Sequence, residues 1–402
     1  MTDYKILAQS APDAGVDQSI YQVPPGKSVI IRSINITNTS QVSDEYDIAY
    51  TDEGFVNTAS EHTFVALAYY TTIAATSPDG ITWTQRTLPA NTFWSSVTYG
   101  SNTFVAIGYS TIAATSPDGI TWTQRVLPAN TFWSSVTYDN NTFVAVSGSS
   151  LGSTIAATSP DGITWTQRTL PVSADWRSVT YGNNTFVAVG YYDYTVAIAA
   201  TSPDGITWTQ RTLPAYSDLY SVTYGNNTFV AVSATYAIAA TSPDGITWTH
   251  RTLPSTFWYS VIYGNNTFVA VSSYGSIAAT SPDGITWTQR VLPVSNYWSS
   301  VTYGNNTFVA VAENTAVAVT SPDGITWTQR VLPVSTNWKS VTSGLVVTPV
   351  TPQPQDYINF NNTIFAEETI TNKSGYTLSE NNSIVVKSST GNTTFQVFGA
   401  EI

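Results

Sequence analysis

An all-β fold, most of it built from repeats closed into a ring, is what this sequence predicts, and three observations carry the expectation. Apolar residues show almost no helical period, and 42% hydrophobic with 13% aromatic content is ample for a packed core. The stretch TSPDGITWTQR at Thr76 returns nearly letter for letter at Thr115, Thr158, Thr201, Thr241, Thr280 and Thr320. Its period of about 40 residues suits a propeller blade of four short strands. Finally, the first repeat lacks its opening strand, and a lone segment after the last repeat supplies it. The predicted architecture is a seven-bladed β-propeller of four-stranded blades inserted into a β-sandwich formed by the N- and C-terminal segments.

Each repeat reads as SVTYG, TFVAV, IAATS and TWTQR. The first two strands are joined by GNN, which offers Gly and Asn for a tight hairpin, and the last two by SPDG. In SPDG, Pro fixes φ, Asp accepts local backbone N–H groups, and Gly supplies a positive φ. The aspartates are Asp79, Asp118, Asp161, Asp204, Asp244, Asp283 and Asp323, and seven equivalent copies point to a turn role. The tryptophans that follow, Trp83, Trp122, Trp165, Trp208, Trp248, Trp287 and Trp327, are expected to pack between blades. A second set, Trp94, Trp133, Trp176, Trp258, Trp298 and Trp338, with Tyr220 in the odd unit, precedes the first strand. It reads as packing, with a stacking role left open.

These residues resemble the Asp-box, or BNR-like, repeats of sialidase-type propellers, whose box joins the third and fourth strands of a blade. SPDGITW departs by one residue from the usual S-x-D-x-G-x-T-W. It is closer to the S-x-DG-x-x-W repeats of bacterial and phage proteins, a resemblance specific for fold and weak for activity.

The first repeat starts directly at HTFVAL (62–67), and NWKSVTSG (337–344) matches the strand it lacks. A closed ring can complete its first blade with its last strand, whereas an open row would need polar caps. The propeller is therefore expected at 59–345, its first blade closed by 338–344, followed by a Pro/Thr-rich linker at 346–355. Residues 1–58 and 350–402 are each short for a sandwich alone and together make a split anchor domain. These ends, VPPGKSVIIRSINITNTS (23–40) and GYTLSENNSIVVKSSTGNTTFQVFGAEI (375–402), resemble segments of bacteriophage virion proteins. The resemblance implies a tail fibre, adhesin or decoration-type protein located in the virion and assembled in the bacterial host cytoplasm.

Strand parity places the invariant GNN and SPDG turns on one face of the disc and all the variable loops on the other, with the anchor joining on the invariant side. Tyr69, Tyr70, Tyr109, Tyr191, Tyr192, Asp193, Tyr194, Tyr216, Tyr236, Tyr274 and Tyr297 lie in or beside those loops and form the candidate ligand-binding face. No catalytic residue, metal or cofactor is expected. Arg86, Arg125, Arg168, Arg211, Arg251, Arg290 and Arg330 all occupy one outer-strand position and cannot converge, and His250 replaces a Gln there. The chain has no cysteine, two histidines, and a net charge of −12 that disfavours nucleic acid. No run of apolar residues is long enough for membrane insertion. The expected function is a non-enzymatic virion structural protein. Its sandwich holds other virion proteins, its propeller contacts a host surface glycan or receptor, and it assembles as a homo-oligomer. A purely architectural fibre or decoration subunit and a sialidase-like glycosidase are the alternatives.

Overall fold

The computed structural model describes backbone strands along the chain and, for residues 61–346 apart from 150, 193–195 and 214–217, the side chains as well. Among the described residues every regular element is a β-strand. The chain forms two compact units, Met1–Ala59 with Thr348–Ile402, and Ser60–Val347. In the first, one sheet orders Lys5–Ser10, Thr393–Glu401, Val29–Asn38 and Thr369–Asn372, with Tyr376–Leu378 also on Val29–Asn38. The other orders Gln18–Gln22, Ser383–Ser388, Asp44–Thr51 and Tyr357–Ile364. Each sheet thus interleaves strands from both ends of the sequence.

In the second unit, the antiparallel strands Leu219–Gly225, Thr228–Ser233, Ile238–Ser242 and Thr249–Thr252 show the repeat in its plainest form. Elsewhere the fourth strand of one repeat runs into the first strand of the next, as in Thr123–Asp139, Thr166–Gly182 and Thr288–Gly304. These connections stay extended because they pair with the neighbouring loop. Tyr109 lies opposite Phe132, Ser153 opposite Ala174, and Gly275 opposite Asn296.

The second strand of each repeat is buried on both sides, which explains its continuous apolar run. Val65 and Leu67 pack with Phe104, Ala106, Trp94 and Trp122, while Phe64 and Ala66 pack with Val309, Val311, Trp338 and Trp83. A sheet in the ring therefore has a neighbour on each face. The Trp of each TW sits at such a junction: Trp208 is 7% exposed, packs with Val144 and Phe186, and donates its Nε1–H to the Gly205 carbonyl at 2.9 Å.

The SPDG turn consumes its own polar groups. Oδ1 of Asp79 accepts from the N–H of Ile81 at 2.8 Å, the N–H of Thr82 at 3.0 Å and the Ser77 hydroxyl at 3.0 Å. Burial pushes this carboxyl up, but the three donors outweigh it and hold its pKa below the usual carboxylate value. The same holds for Asp118, Asp204, Asp283 and Asp323. In Asp161 and Asp244 the N–H of Thr164 or Thr247 is the leading influence. Gly80 has φ +74°, and a Cβ there would lie 2.7 Å from Val309 of the adjacent repeat. The other hairpin corrects the reading from sequence. In GNN the two asparagines make the turn, as at Asn183 and Asn184 with φ 45° and 56°, the geometry of a type I′ hairpin. The glycine has another purpose: a Cβ on Gly182 would lie 2.0 Å from the ring of Tyr224 in the next repeat.

Hydroxyls of the SVTYG serines connect the repeats into an unbroken cycle. Ser96, Ser135, Ser178, Ser221, Ser260 and Ser300 accept from the N–H of Val136, Val179, Val222, Val261, Val301 and Val341. Ser340 completes it by accepting from Val97 N–H at 3.1 Å. The strand Trp338–Val350 lies beside Asn57–Ala68 in a four-stranded sheet. It extends into the segment read as linker from 346, because Val346 is buried with Val65, Leu67 and Trp94.

Three outcomes follow for stability. Trp208→Ala is expected to cost about 3–5 kcal/mol in urea denaturation, the range for emptying an aromatic core site. Ser340→Ala leaves the buried Val97 N–H unpaired and is expected to cost about 1–3 kcal/mol. The box aspartates have folded pKa values below their unfolded value of about 3.9, so their contribution is complete above that pH and lost as pH falls through the folded values. Urea midpoints measured from neutral to acid pH are expected to drop below about pH 4, and less steeply once Asp118 and Asp283 are Asn.

Candidate functional site

Trp94, Trp133, Trp176, Trp258, Trp298 and Trp338 are all fully buried, which excludes them from stacking on a ligand. The odd repeat places Leu219, not Tyr220, at the equivalent position: Leu219 pairs with Ser233 as Trp258 pairs with Ser272. Tyr220 therefore belongs one residue later, on the opposite side of the strand.

That later position is occupied in ring order by Ser95, Ser134, Arg177, Tyr220, Tyr259, Ser299 and Lys339. All of them line one cavity of about 280 Å³, together with Tyr69, Phe132 and several of the ring-closing serines. Because every repeat contributes a wall residue, the cavity lies on the ring axis. Where the residue is Ser, its hydroxyl donates to the next repeat's Trp carbonyl: Ser95 to Trp133, Ser134 to Trp176 at 2.6 Å, and Ser299 to Trp338 at 2.7 Å. In the other four repeats a larger side chain stands in place of the serine that would make this bond.

Those four form a connected group. Tyr220 and Tyr259 stack at 4.3 Å with an interplanar angle of 29°. The Arg177 guanidinium lies 5.3 Å from the Tyr220 ring centre, and the Lys339 ammonium 5.9 Å from that of Tyr259 and 5.8 Å from that of Tyr69. Each cation already holds a carboxylate: Arg177 pairs with Asp175 at 2.5 Å and Lys339 with Glu313 at 2.8 Å. Burial pushes both cations toward neutrality, but Tyr220, Asp175 and Tyr191 around Arg177, and Tyr220 and Glu313 around Lys339, outweigh it and raise both pKa values above their ordinary ones. Burial raises the Tyr259 and Tyr69 phenols, against a smaller opposing pull from Lys339.

Two further depressions adjoin this cavity. One of about 270 Å³ is lined by Phe257, Tyr259, Ser273, Tyr274, Tyr297, Trp298 and Glu313. The other, about 490 Å³, is lined by Tyr109, Asn130, Thr131, Phe132, Gly148, Ser149, Asp175 and Arg177.

The tyrosines proposed from sequence divide among these places. Tyr274 at 64%, Tyr297 at 54% and Tyr109 at 46% exposure line the outer depressions. Tyr70 is exposed and stacks on Phe93 at 4.6 Å, half-buried Tyr69 reaches the axial cavity, and Tyr236 is exposed away from all three depressions. Tyr191 is a correction. It is 4% exposed because its strand continues to Tyr192, and its hydroxyl accepts from Arg177 Nη2 at 2.7 Å. Burial and neighbouring Asp175 raise its pKa against the pull of Arg177. It supports Arg177 and offers no face to a ligand. Tyr192 packs against the core cluster around Trp176 and Phe186. Asp193, Tyr194 and the side chain of Tyr216 lie outside the described residues. The outer-strand arginines are occupied as well, each donating Nε–H to the Thr of its own repeat, as Arg86 does to Thr76 at 2.9 Å. Arg177, Tyr259 and Lys339 are not among the candidates read from sequence, and Tyr220 is there only as a counterpart of the tryptophans; the signal is the one changing letter before S-V in WRSV, LYSV, WYSV and WKSV.

Residues 160–297 match the DUF6242 beta propeller domain. No curated protein matches the chain. Among solved structures, YCF48 bound to D1 peptide is 18% identical with a TM-score of 0.50, over 68% of this chain and 86% of that one. Selenomethionine-substituted virginiamycin B lyase from Staphylococcus aureus is 10% identical with a TM-score of 0.57, over 81% and 99%. A streptogramin B lyase is 10% identical with a TM-score of 0.55, over 67% and 95%. At these identities the likeness shows fold alone: the chain is an all-β protein containing a β-propeller domain.

Asp175→Asn is expected to leave Arg177 with an uncompensated charge and to lower stability by about 1.5–3 kcal/mol. Urea denaturation checks this, and the effect should shrink when Arg177 is also removed.

Proposed function

We propose that this chain is a non-enzymatic bacteriophage virion structural protein whose propeller is a seven-bladed recognition disc for a host-surface glycan. The two interleaved terminal sheets are read as a sandwich that holds other virion proteins in a homo-oligomeric assembly. The cycle of serine bonds through Ser340 and Val97 supports the closed seven-blade count. The likeness of 23–40 and 375–402 to phage virion segments supports the virion setting.

One observation carries the recognition reading. In a chain of near-identical repeats, the axial position abandons serine, and with it an inter-blade hydrogen bond, at Arg177, Tyr220, Tyr259 and Lys339. Departures from local consistency of this kind are expected where function overrides stability. Binding rather than catalysis is favoured because the candidate acids and bases are already engaged. The box aspartates are held in turns, the outer arginines on threonines, and the two axial cations on Asp175 and Glu313.

The test is an array of bacterial surface polysaccharides probed with the full chain. Wild type is expected to bind without releasing new reducing ends. Tyr220→Ser combined with Tyr259→Ser is expected to lose binding while keeping the fold. Equal binding by that variant, or cleavage of the bound glycan, contradicts the proposal.

A further inference from the structure

We infer that the three depressions form one track across the propeller axis that holds a linear, uncharged polysaccharide, an inference that rests on reading the disc as a glycan-binding surface. The depressions share walls. Arg177 and Phe132 line both the axial cavity and the 490 Å³ depression, and Tyr259 lines both the axial cavity and the aromatic one. The outer two come from different parts of the ring: Tyr109, Thr131 and Arg177 belong to the second to fourth repeats, Tyr274 and Tyr297 to the sixth and seventh. In a ring of seven these groups stand on opposite sides, so a line joining them crosses the axial cavity.

Layout points to a chain and not to a compact ligand. Of the three depressions, the axial and aromatic ones, about 280 and 270 Å³, fall below the roughly 300–1,000 Å³ usual for a pocket that encloses a small molecule, and the 490 Å³ one is continuous with the axial cavity through Arg177 and Phe132. A ligand that spans them gains from several modest sites at once. Chemistry points to a sugar chain. Exposed rings of Tyr109, Tyr274 and Tyr297 offer flat faces, and serine hydroxyls with Asn130 offer polar partners. An extended peptide lacks a free edge at the places described, since Tyr109 already pairs with Phe132 and Gly275 with Asn296.

Charge decides between neutral and acidic sugars. Arg177 and Lys339 are each balanced by a carboxylate at salt-bridge distance, so the track presents no excess positive charge. A polyuronate would find each cation already held by a carboxylate and gain no net attraction, whereas a neutral chain uses the two cations as hydrogen-bond donors.

The experiment is calorimetry of the full chain with neutral oligosaccharides of glucose, mannose, galactose and N-acetylglucosamine, from monosaccharide to octasaccharide, beside a galacturonate series and an array of unstructured peptides. For at least one neutral series, affinity is expected to rise by about tenfold or more with length and to change little with salt. Tyr109→Ala and Tyr274→Ala, at exposed positions at opposite ends, are each expected to weaken the octasaccharide about tenfold, whereas Tyr236→Ala, exposed but away from the three depressions, is expected to leave its affinity unchanged. A monosaccharide that binds as tightly as its octamer overturns the track but leaves glycan recognition standing. Tighter, salt-sensitive galacturonate binding overturns the neutral assignment alone. Binding only to peptides, or to nothing tested, overturns both this inference and the function on which it rests.

Discussion

The packing of the propeller depends on one junction, where Trp338–Val350 lies against Asn57–Ala68 and the Ser340 hydroxyl receives the Val97 N–H. The second strands are apolar on both faces, and each face is satisfied only by a neighbouring sheet. Without the junction, the face bearing Phe64 and Ala66 would lose Trp338 and Val341, two of its buried partners. A linear array would leave such faces uncovered at its ends, which is why closure and composition belong together here. The glycines of SPDG and GNN serve the same packing. Gly80 admits Val309 and Gly182 admits Tyr224, so neighbouring sheets approach more closely than any side chain at those positions would permit.

Repetition and its interruption have different physical meanings. What occurs in every repeat is committed to structure: the aspartate gathers N–H groups within its own turn, the arginine binds a threonine on the adjacent strand, and the Trp indole caps a glycine carbonyl. The residues that depart from the repeat carry the proposed recognition. Arg177 and Lys339 are the two cations at the axial position, each fixed by a neighbouring acid and each beside one member of a stacked tyrosine pair. An asymmetric cavity at the centre of a nearly symmetric scaffold can select the orientation of an asymmetric ligand, which a symmetric ring of serines could not.

Much of the fold was legible in the letters, because repeated turn chemistry and the apolar second strands are local properties. The all-β class and the structural use of SPDG could be read from a single repeat, and the propeller character from the spacing of its copies. The site was less legible, because burial of loop residues depends on pairings between distant segments. Tyr191 looks like an exposed loop tyrosine until Asp175 and Arg177 are seen beneath it. Tyr220 looks like a substituted tryptophan until Leu219 is seen filling that core position. The purpose of Gly182 also lies in the next repeat, and no inspection of its own hairpin would reveal it.

Hydrogen exchange on the intact chain tests the closing junction most directly, since it reports strand by strand which backbone groups are protected. The amides of Phe64–Leu67 are expected to exchange as slowly as those of Phe104–Ile107, the corresponding run in an interior repeat. Exchange at Phe64–Leu67 as fast as that of a frayed edge, with Phe104–Ile107 still protected, would contradict the closure.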